Sequence, residues 1–220
     1  MIEHIVKILR IGFVTHNVIS IIVEKPEGYK FKSGQATTVS IKKQKDLKKR
    51  PITFSSTNNE PILEFIIKKY PRGETEKIHK LNPGEELVIN EPFGVMGYKG
   101  EGVFIAGGAG VTPFISILRE LKKEGKIGKN KLLLSNKEAK DIILKKELKD
   151  ILGDNLILNL TKEKNPNYNY GRIDEKYLKK HIKDFNQKFY VCGPVSFTNE
   201  IKKTLEKLGA SVDSIIIEGT

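Results

Sequence analysis

Residues 103–121 read VFIAGGAGVTPFISILREL, and this stretch determines which fold we expect. Its first four residues are apolar and predict a buried strand, and apolar residues at helical spacing follow Thr112. Pro113 suits the first turn of that helix, and three glycines separate the two elements: Gly107, Gly108 and Gly110. A glycine-rich turn before a helix N-terminus lets a phosphate approach the backbone. We therefore predict a dinucleotide site here, with a ligand-free strand-to-helix turn as the alternative.

The second half of the chain alternates strands with helices. We expect strands at 103–106, 132–135, 156–160, 189–192 and 214–217. Helices are expected to begin near Thr112, Asp141, Asp174 and Ser196. This rhythm predicts an α/β nucleotide-binding domain with a five-stranded parallel sheet.

The first half is rich in short strands separated by turn residues. Strands are expected at 4–12, 18–24, 36–42, 62–69 and 87–90, with a short helix within 74–81. Many short strands at this spacing predict a barrel or sandwich. We place the boundary near residues 98–101, which divides the chain into domains 1–99 and 100–220.

Composition excludes several classes of protein. Of the 220 residues, 38% are hydrophobic, and Cys192 is the single cysteine, so neither an internal disulfide nor a four-cysteine cluster can form. Redox chemistry would therefore need an organic cofactor. The four histidines are scattered, so we assign no metal site. No apolar run is long enough to span a membrane and no secretory leader is recognisable, so we expect a cytoplasmic protein.

The net charge of +12 has two interpretations. The lysines are spread along the chain, with a short cluster between Lys42 and Arg50, and no nucleic-acid-binding module is recognisable. We therefore expect no nucleic-acid partner. The basic surface serves solubility alone, or it steers an acidic protein partner.

A second motif, RPITFSS, begins at Arg50 and is expected to end the third strand. A guanidinium there can pair with a phosphate in a forked geometry, and the Thr53 hydroxyl can bond a ring nitrogen. Taken alone, an exposed arginine beside a strand is the simpler interpretation.

The motifs together resemble the ferredoxin–NADP reductase family. RPITFSS is similar to its R-x-Y-[ST] flavin motif, and GGAGVTPF is similar to its nicotinamide-dinucleotide loop. Residues 190–194, YVCGP, resemble its third motif, C-G-P after a strand. Further matches in family order are FKSGQ at 31–35, EPFG at 91–94 and GRI at 171–173.

The resemblance implies an antiparallel flavin-binding barrel followed by an α/β nucleotide domain. It also implies an FAD-containing NAD(P)H-dependent reductase, in which hydride passes from nicotinamide to flavin and electrons then pass to an acceptor. Such an acceptor is an acidic carrier protein: flavodoxin, ferredoxin or a cytochrome. A free-flavin reductase and a non-catalytic electron-transfer subunit remain alternatives.

Residue roles follow from the same resemblance. Arg50 would hold the flavin pyrophosphate, with Pro51 and Ile52 beside it, and Thr53 would bond the reactive edge of the isoalloxazine. The strand with Ile66, Ile67 and Lys68 would flank the flavin, and Gly73, Glu74 and Thr75 would form a phosphate loop or an ordinary helix cap. The dinucleotide would lie on Gly108, Gly110, Thr112 and Pro113. Cys192, Gly193 and Pro194 would face the nicotinamide, with Cys192 filling space beside the hydride path.

Two features depart from the family pattern, and a third leaves the choice between NADH and NADPH open. Ile52 stands where the family usually has a tyrosine whose ring covers part of the flavin, and the nearby Phe54 could contribute some aromatic surface there. Glu218 fits the acid near the C-terminus of many relatives, but Thr220 replaces the aromatic residue that follows it. After the second strand, Ser135, Asn136 and Lys137 occupy the ribose-binding position without the expected arginine, so weak discrimination between NADH and NADPH is predicted.

Overall fold

The computed structural model describes residues 2–42 and 49–217, which form two sheets. The first contains β1 to β6: Glu3–Thr15, Val18–Glu24, Ala36–Ile41, Arg50–Thr53, Ile62–Lys68 and Glu86–Asn90. The second contains β7 to β12: Gly102–Gly107, Lys131–Asn136, Leu156–Leu160, Asn169–Tyr170, Lys188–Cys192 and Ile215–Ile217. The helices α1 to α5 are Glu74–Ile78, Thr112–Lys123, Lys145–Leu152, Glu175–His181 and Val195–Lys207. The predicted fold class, a β-barrel followed by an α/β domain, is confirmed.

The first sheet is antiparallel, with strand order β4-β3-β6-β1-β2-β5. The long strand β1 pairs with β6 through its first residues and with β2 through the remainder, so it is shared between both sides of the sheet. An isolated bridge between Phe54, directly after β4, and Phe65 in β5 joins the two outer strands. This bridge closes the sheet into the predicted barrel.

Phe54 lies in the barrel core rather than on a ligand-binding surface. Its side chain is fully buried, and its ring stacks on that of Phe31 with the centroids 4.2 Å apart. Because Phe54 bridges to β5 at the closure of the barrel, its ring is directed inward against Phe65. The expectation that Phe54 supplies aromatic surface to a cofactor is therefore wrong.

The motif that begins at Arg50 forms a strand of its own. Strand β4 pairs antiparallel with β3, from Arg50 opposite Val39 to Thr53 opposite Ala36, and so does not end the third strand as expected. Arginine and proline in its first two positions remove the apolar alternation that would reveal a strand. Residues 43–48, which include most of the predicted lysine cluster, lie outside the described residues.

The second sheet is parallel, with strand order β10-β9-β8-β7-β11-β12. It has six strands where five were expected, because the two residues Asn169 and Tyr170 add an edge strand beside β9. Two residues are too few for an apolar pattern to indicate a strand. The other strands lie where they were predicted, to within two residues at each end.

The helix expected near Asp141 begins four residues later, at Lys145. Asp141 instead closes a short 3-10 turn, in which its carboxylate accepts the backbone N–H of Glu138. Helices α2, α4 and α5 begin within one residue of the predicted positions. In the described part of the chain, none of the helices has the length and apolar character needed to cross a bilayer.

The barrel and the α/β half share a hydrophobic core. Val18, Ile66 and Met96 from the barrel side pack in the same cluster as Phe104 and Phe114. Gly34 approaches this region so closely that a Cβ atom there would lie 1.9 Å from the carbonyl oxygen of Met96. The barrel therefore packs directly on the strand and helix that flank the glycine-rich loop.

Candidate functional site

The strand order of the second sheet reverses beside β7. The chain places β8 to β10 on one side of β7 and then returns to place β11 and β12 on the other. In open α/β sheets, ligands bind outside the carboxyl ends of the strands at such a reversal. The ends of β8 and β11 are level with that of β7, because Leu134 and Cys192 both pair with Ala106. The predicted dinucleotide residues therefore all lie at the ends of these strands or after them, at one edge of the sheet: Gly108, Gly110, Thr112, Pro113, Ser135, Asn136, Lys137, Cys192, Gly193 and Pro194.

The glycine-rich loop forms a cradle against the end of β11. A Cβ atom at Gly110 would lie 2.3 Å from the carbonyl oxygen of Cys192, so this approach requires glycine. The loop then enters α2, whose first turn contains Pro113 and has no side-chain cap. A 3-10 turn, Gly108–Val111, leads directly into α2 and also has no side-chain cap, and the Thr112 N–H at its end donates to the carbonyl oxygen of Ala109. A glycine-rich turn that opens a helix in this way is where proteins bind phosphate. The geometry fits a dinucleotide.

Cys192 belongs to the hydrophobic core beneath the loop. It is 8% exposed and packs in the cluster that includes Val111 and Tyr190. A buried cysteine of this kind behaves as a small apolar residue. Its position agrees with the space-filling role that the resemblance implies.

The last two residues of β8 and the residue after it differ in what they offer a ligand. Asn136 is buried and its amide nitrogen donates to the carbonyl oxygen of Asp141 at 2.9 Å, so it holds the following turn together. Ser135 is half-buried. The side chain of Lys137 is exposed and forms no ion pair with any other described residue. Lys137 is therefore a cation available to a phosphate at this strand end.

The predicted flavin residues of the barrel divide into exposed and buried groups. Arg50 and Pro51 are exposed, Ile52 is half-buried, and Thr53 is 8% exposed. Lys68 is half-buried at the end of β5. The side chain of Ile67, by contrast, lies in the barrel core, because alternation along β5 directs it inward. A side-chain contact between Ile67 and a cofactor is therefore ruled out, and only its backbone remains.

The predicted phosphate loop at Gly73 has a mixed character. The hydroxyl oxygen of Thr75 accepts the backbone N–H of Tyr70 at 3.0 Å, which is a turn-stabilising role. Glu74 and Glu76 both lie in the first turn of α1, where their negative charge already complements the helix dipole. The two carboxylates oppose a phosphate there, so the roles of Gly73, Glu74 and Thr75 stay predictions. The spacing of Gly73 and Thr75 alone does not reveal that these charges would oppose a phosphate.

The barrel motif and the dinucleotide loop meet at two hydroxyl groups. The Thr53 and Thr112 Oγ1 atoms are 2.9 Å apart, and the Thr112 hydroxyl also donates to the carbonyl oxygen of Ala109 at 3.0 Å. The two residues are 59 positions apart, so no local pattern indicates this contact. It brings the two predicted binding motifs together at one point.

Comparison with known proteins places the chain in a family. Residues 3–95 match a family model described as an FAD-binding domain, and residues 104–203 match one described as an oxidoreductase NAD-binding domain. The chain belongs to the ferredoxin–NADP reductase-like family. FAD and a nicotinamide dinucleotide are therefore its cofactors, and it belongs to the FAD-containing NAD(P)H-dependent reductases.

Two relatives show how far the similarity extends. An NADH-cytochrome b5 reductase 2 from Mycosarcoma maydis is 30% identical, over 91% of this chain and 68% of its own length. The reductase component of propane 2-monooxygenase from Rhodococcus jostii is 25% identical, over 96% of this chain and 62% of its own length. Both relatives are longer than this chain.

A solved structure shows the same fold. The ferredoxin NADP+ reductase from Neisseria gonorrhoeae, determined with bound FAD and NADP, superposes with a TM-score of 0.87 at 20% identity. The match covers 98% of this chain and 97% of that one.

The predicted catalytic residue Glu218 lies outside the described residues. Among the residues that are described, no group of three or more His, Cys, Asp or Glu side chains is placed to hold a metal ion.

Proposed function

We propose that this member of the ferredoxin–NADP reductase-like family transfers hydride from NAD(P)H to bound FAD and passes the electrons to a separate carrier protein. The observation that carries the proposal is the contact between Thr53 and Thr112. It joins the motif proposed to hold the flavin to the loop proposed to hold the dinucleotide, so the two cofactors would meet where hydride transfer needs them.

Each motif has a proposed task. Arg50 is exposed and can pair with the flavin pyrophosphate, while Thr53 bonds the reactive edge of the ring. The loop from Gly108 to Pro113 binds the dinucleotide phosphates, and Cys192 fills space beside the nicotinamide. We assign residues 1–99 to the FAD-binding domain and residues 100–220 to the NAD(P)-binding domain, and the protein to the cytoplasm.

The proposed carrier is an acidic protein such as flavodoxin, ferredoxin or a cytochrome. The chain carries a net charge of +12, which favours encounter with an acidic partner, and a relative is a cytochrome b5 reductase. If charge steers the encounter, the second-order rate constant for carrier reduction falls steeply as ionic strength rises past ~0.1 M, where the Debye length is ~10 Å. A rate constant that is the same at low and high salt would assign the lysines to solubility alone.

A free-flavin reductase is the second candidate. Ile52 lacks the ring of the tyrosine found in the family motif, and the two carboxylates near Gly73 oppose a phosphate. Both features favour weak retention of flavin. Flavin absorbance that stays with the protein through gel filtration supports a prosthetic group, whereas flavin that separates from an active protein supports the alternative.

Stopped-flow spectroscopy tests the main proposal. The purified protein is loaded with FAD, mixed without oxygen with NADH or NADPH, and then mixed with candidate carriers. We expect flavin reduction in the first step and carrier reduction in the second. If the flavin is reduced but passes no electrons to any acidic carrier, the proposed carrier is wrong, while the proposed hydride transfer from NAD(P)H to FAD stands.

A further inference from the structure

Helix α2 presents three polar side chains to the barrel on one face. Thr112, Ser116 and Arg119 are spaced at i, i+4 and i+7, which places them along one side of a helix. Thr112 accepts from Thr53, and the Ser116 Oγ accepts the backbone N–H of Gly34 at 3.0 Å. Each side chain bonds the barrel, since Arg119 donates to the carbonyl oxygen of Ser55. We call these three residues the α2 stripe.

Arg119 is the charged member of the α2 stripe, and all three nitrogens of its guanidinium donate hydrogen bonds. One nitrogen, Nη1, donates to the carbonyl oxygen of Ser55 at 2.9 Å and also to the carboxylate of Glu64 in β5. The other two, Nε and Nη2, donate to the carboxylate of Glu147 in α3 at 2.6 Å and 3.0 Å. Arg119 therefore joins the barrel to two helices of the α/β half.

The surroundings hold this guanidinium in one orientation. The Arg119 side chain is 21% exposed and that of Glu64 is 14% exposed, so water competes little for their bonds. Burial opposes the charged form, but the hydrogen bonds and charges of Glu147 and Glu64 outweigh it and raise the pKa of Arg119 above its ordinary value. A bidentate arginine fixes direction as well as distance, which apolar contacts do not.

The bonds of Arg119 reach the same two segments that carry the candidate site. Ser55 lies two residues after Thr53, and Arg119 lies seven residues after Thr112 on a continuous helix. A shift of α2 along the barrel would therefore displace the dinucleotide loop from Thr53. None of the atoms that bond Arg119 belongs to the predicted cofactor-binding residues.

We propose that Arg119 is a positioning residue that fixes the dinucleotide loop at one distance from the flavin motif and thereby sets the rate of hydride transfer. Its effect on rate rests on the proposed function. The step concerned moves one proton and two electrons, as a hydride, from the reduced nicotinamide to the oxidised flavin. The rate of such a transfer depends closely on the positions of donor and acceptor, and a displacement of about 1 Å can lower it roughly 100-fold.

The test compares Arg119→Met and Arg119→Lys with Arg10→Met in the full FAD-loaded protein. Arg10 is exposed on β1 and forms no ion pair with another described residue, so it is a matched control. For Arg119→Met we expect the hydride-transfer rate constant at saturating NADH to fall about ten- to 100-fold, with FAD content and dinucleotide Kd nearly unchanged. Arg119→Lys should recover part of the rate, because one ammonium cannot bond both carboxylates.

Calorimetry supplies a measurement that does not depend on activity. The wild type should unfold in one transition, and in Arg119→Met the transitions of the barrel and the α/β half should separate, because only the shared apolar cluster and the bonds of Thr112 and Ser116 still couple them. If Arg119→Met does not fold, Glu147→Gln takes its place. The proposal is overturned if Arg119→Met leaves the hydride-transfer rate constant unchanged. It is also overturned if the FAD content and the affinity for the dinucleotide fall in parallel with that rate constant. If neither NADH nor NADPH reduces the flavin of the wild type, the proposed function fails. Calorimetry then still tests the coupling by Arg119: separated transitions in Arg119→Met support it, and a single transition like that of the wild type contradicts it.

Discussion

Thr112 has one hydroxyl proton, and its bond to the carbonyl oxygen of Ala109 commits that proton. A carbonyl oxygen can only accept, so Thr112 can only accept from Thr53. The Thr53 hydroxyl therefore donates its proton to Thr112, and towards a ligand the Thr53 oxygen can only accept a hydrogen bond. With Thr53 at the flavin edge, as proposed, this arrangement favours the reduced ring, which carries an additional N–H.

Replacing Thr112 by valine should therefore lower the reduction potential of bound FAD. The variant frees the Thr53 proton to bond a nitrogen of the oxidised ring, which stabilises the oxidised state. A tenfold change in the relative affinity for the two states corresponds to about 30 mV for a two-electron couple. Potentiometric titration measures the shift, and Thr112→Ser, which keeps the hydroxyl, should match the wild type. A potential that rises in Thr112→Val contradicts this orientation of the two hydroxyls.

Lys137 is expected to act on NADPH alone. Its exposed ammonium can attract a ribose phosphate, but without the planar fork of arginine it recognises the geometry poorly. We expect the wild type to discriminate less than about 100-fold in kcat/KM, equivalent to about 2.7 kcal/mol. Steady-state kinetics of Lys137→Gln should show a loss with NADPH and little change with NADH, and Lys140→Gln serves as the control. Equal losses with both dinucleotides would remove Lys137 from this role.

Among the elements, α4 and α5 are joined by a carboxylate. Glu175 in α4 accepts from Lys179 at 2.7 Å and from Lys207 of α5 at 2.6 Å. Hydrogen bonds from these two lysines lower the pKa of Glu175 from 4.5 to about 2. A carboxyl group whose pKa is lower in the folded state stabilises the fold above its unfolded pKa, and loses that contribution as pH falls toward its folded pKa.

Glu175→Gln should therefore lower the Tm at neutral pH and have less effect in acid. The difference from the wild type should narrow as pH falls from about 4.5 toward about 2, the window between the unfolded and folded pKa values. The effect should be modest because the lysines are exposed and salt screens the pairs. Thermal unfolding at several pH values measures it, with the exposed Glu200→Gln as control. A difference that grows in acid would contradict the assignment.

The elements that sequence predicts best are those with strong apolar alternation or helical spacing. Strand β2 and helix α2 begin at the predicted residues because buried apolar positions recur at the period of a strand or a helix. The strands β4 and β10 were missed because each is too short, or too polar at its start, to show a pattern. At Asp141, a side chain that resembles a helix cap closes a 3-10 turn instead.

For the whole molecule, the motifs predicted the two binding regions but not how they join. Gly110 and Pro113 are recognisable because a close backbone approach and a helix start each demand a residue type. The contact of Thr53 with Thr112 and the bonds of Arg119 connect residues far apart in sequence. These contacts depend on how the barrel packs on α2, and no local sequence pattern indicates that packing. The side-chain burial of Ile67 and Phe54 was likewise set by closure of the barrel.

The central claim is that both cofactors react on this one chain. Anaerobic titration of the FAD-loaded protein with NADH, followed by its flavin absorbance, tests this claim most directly. We predict that about one equivalent of NADH bleaches the flavin, because one hydride carries the two electrons that full reduction of FAD requires. Absorbance that persists with an excess of both NADH and NADPH, in protein shown to hold FAD, would contradict the account.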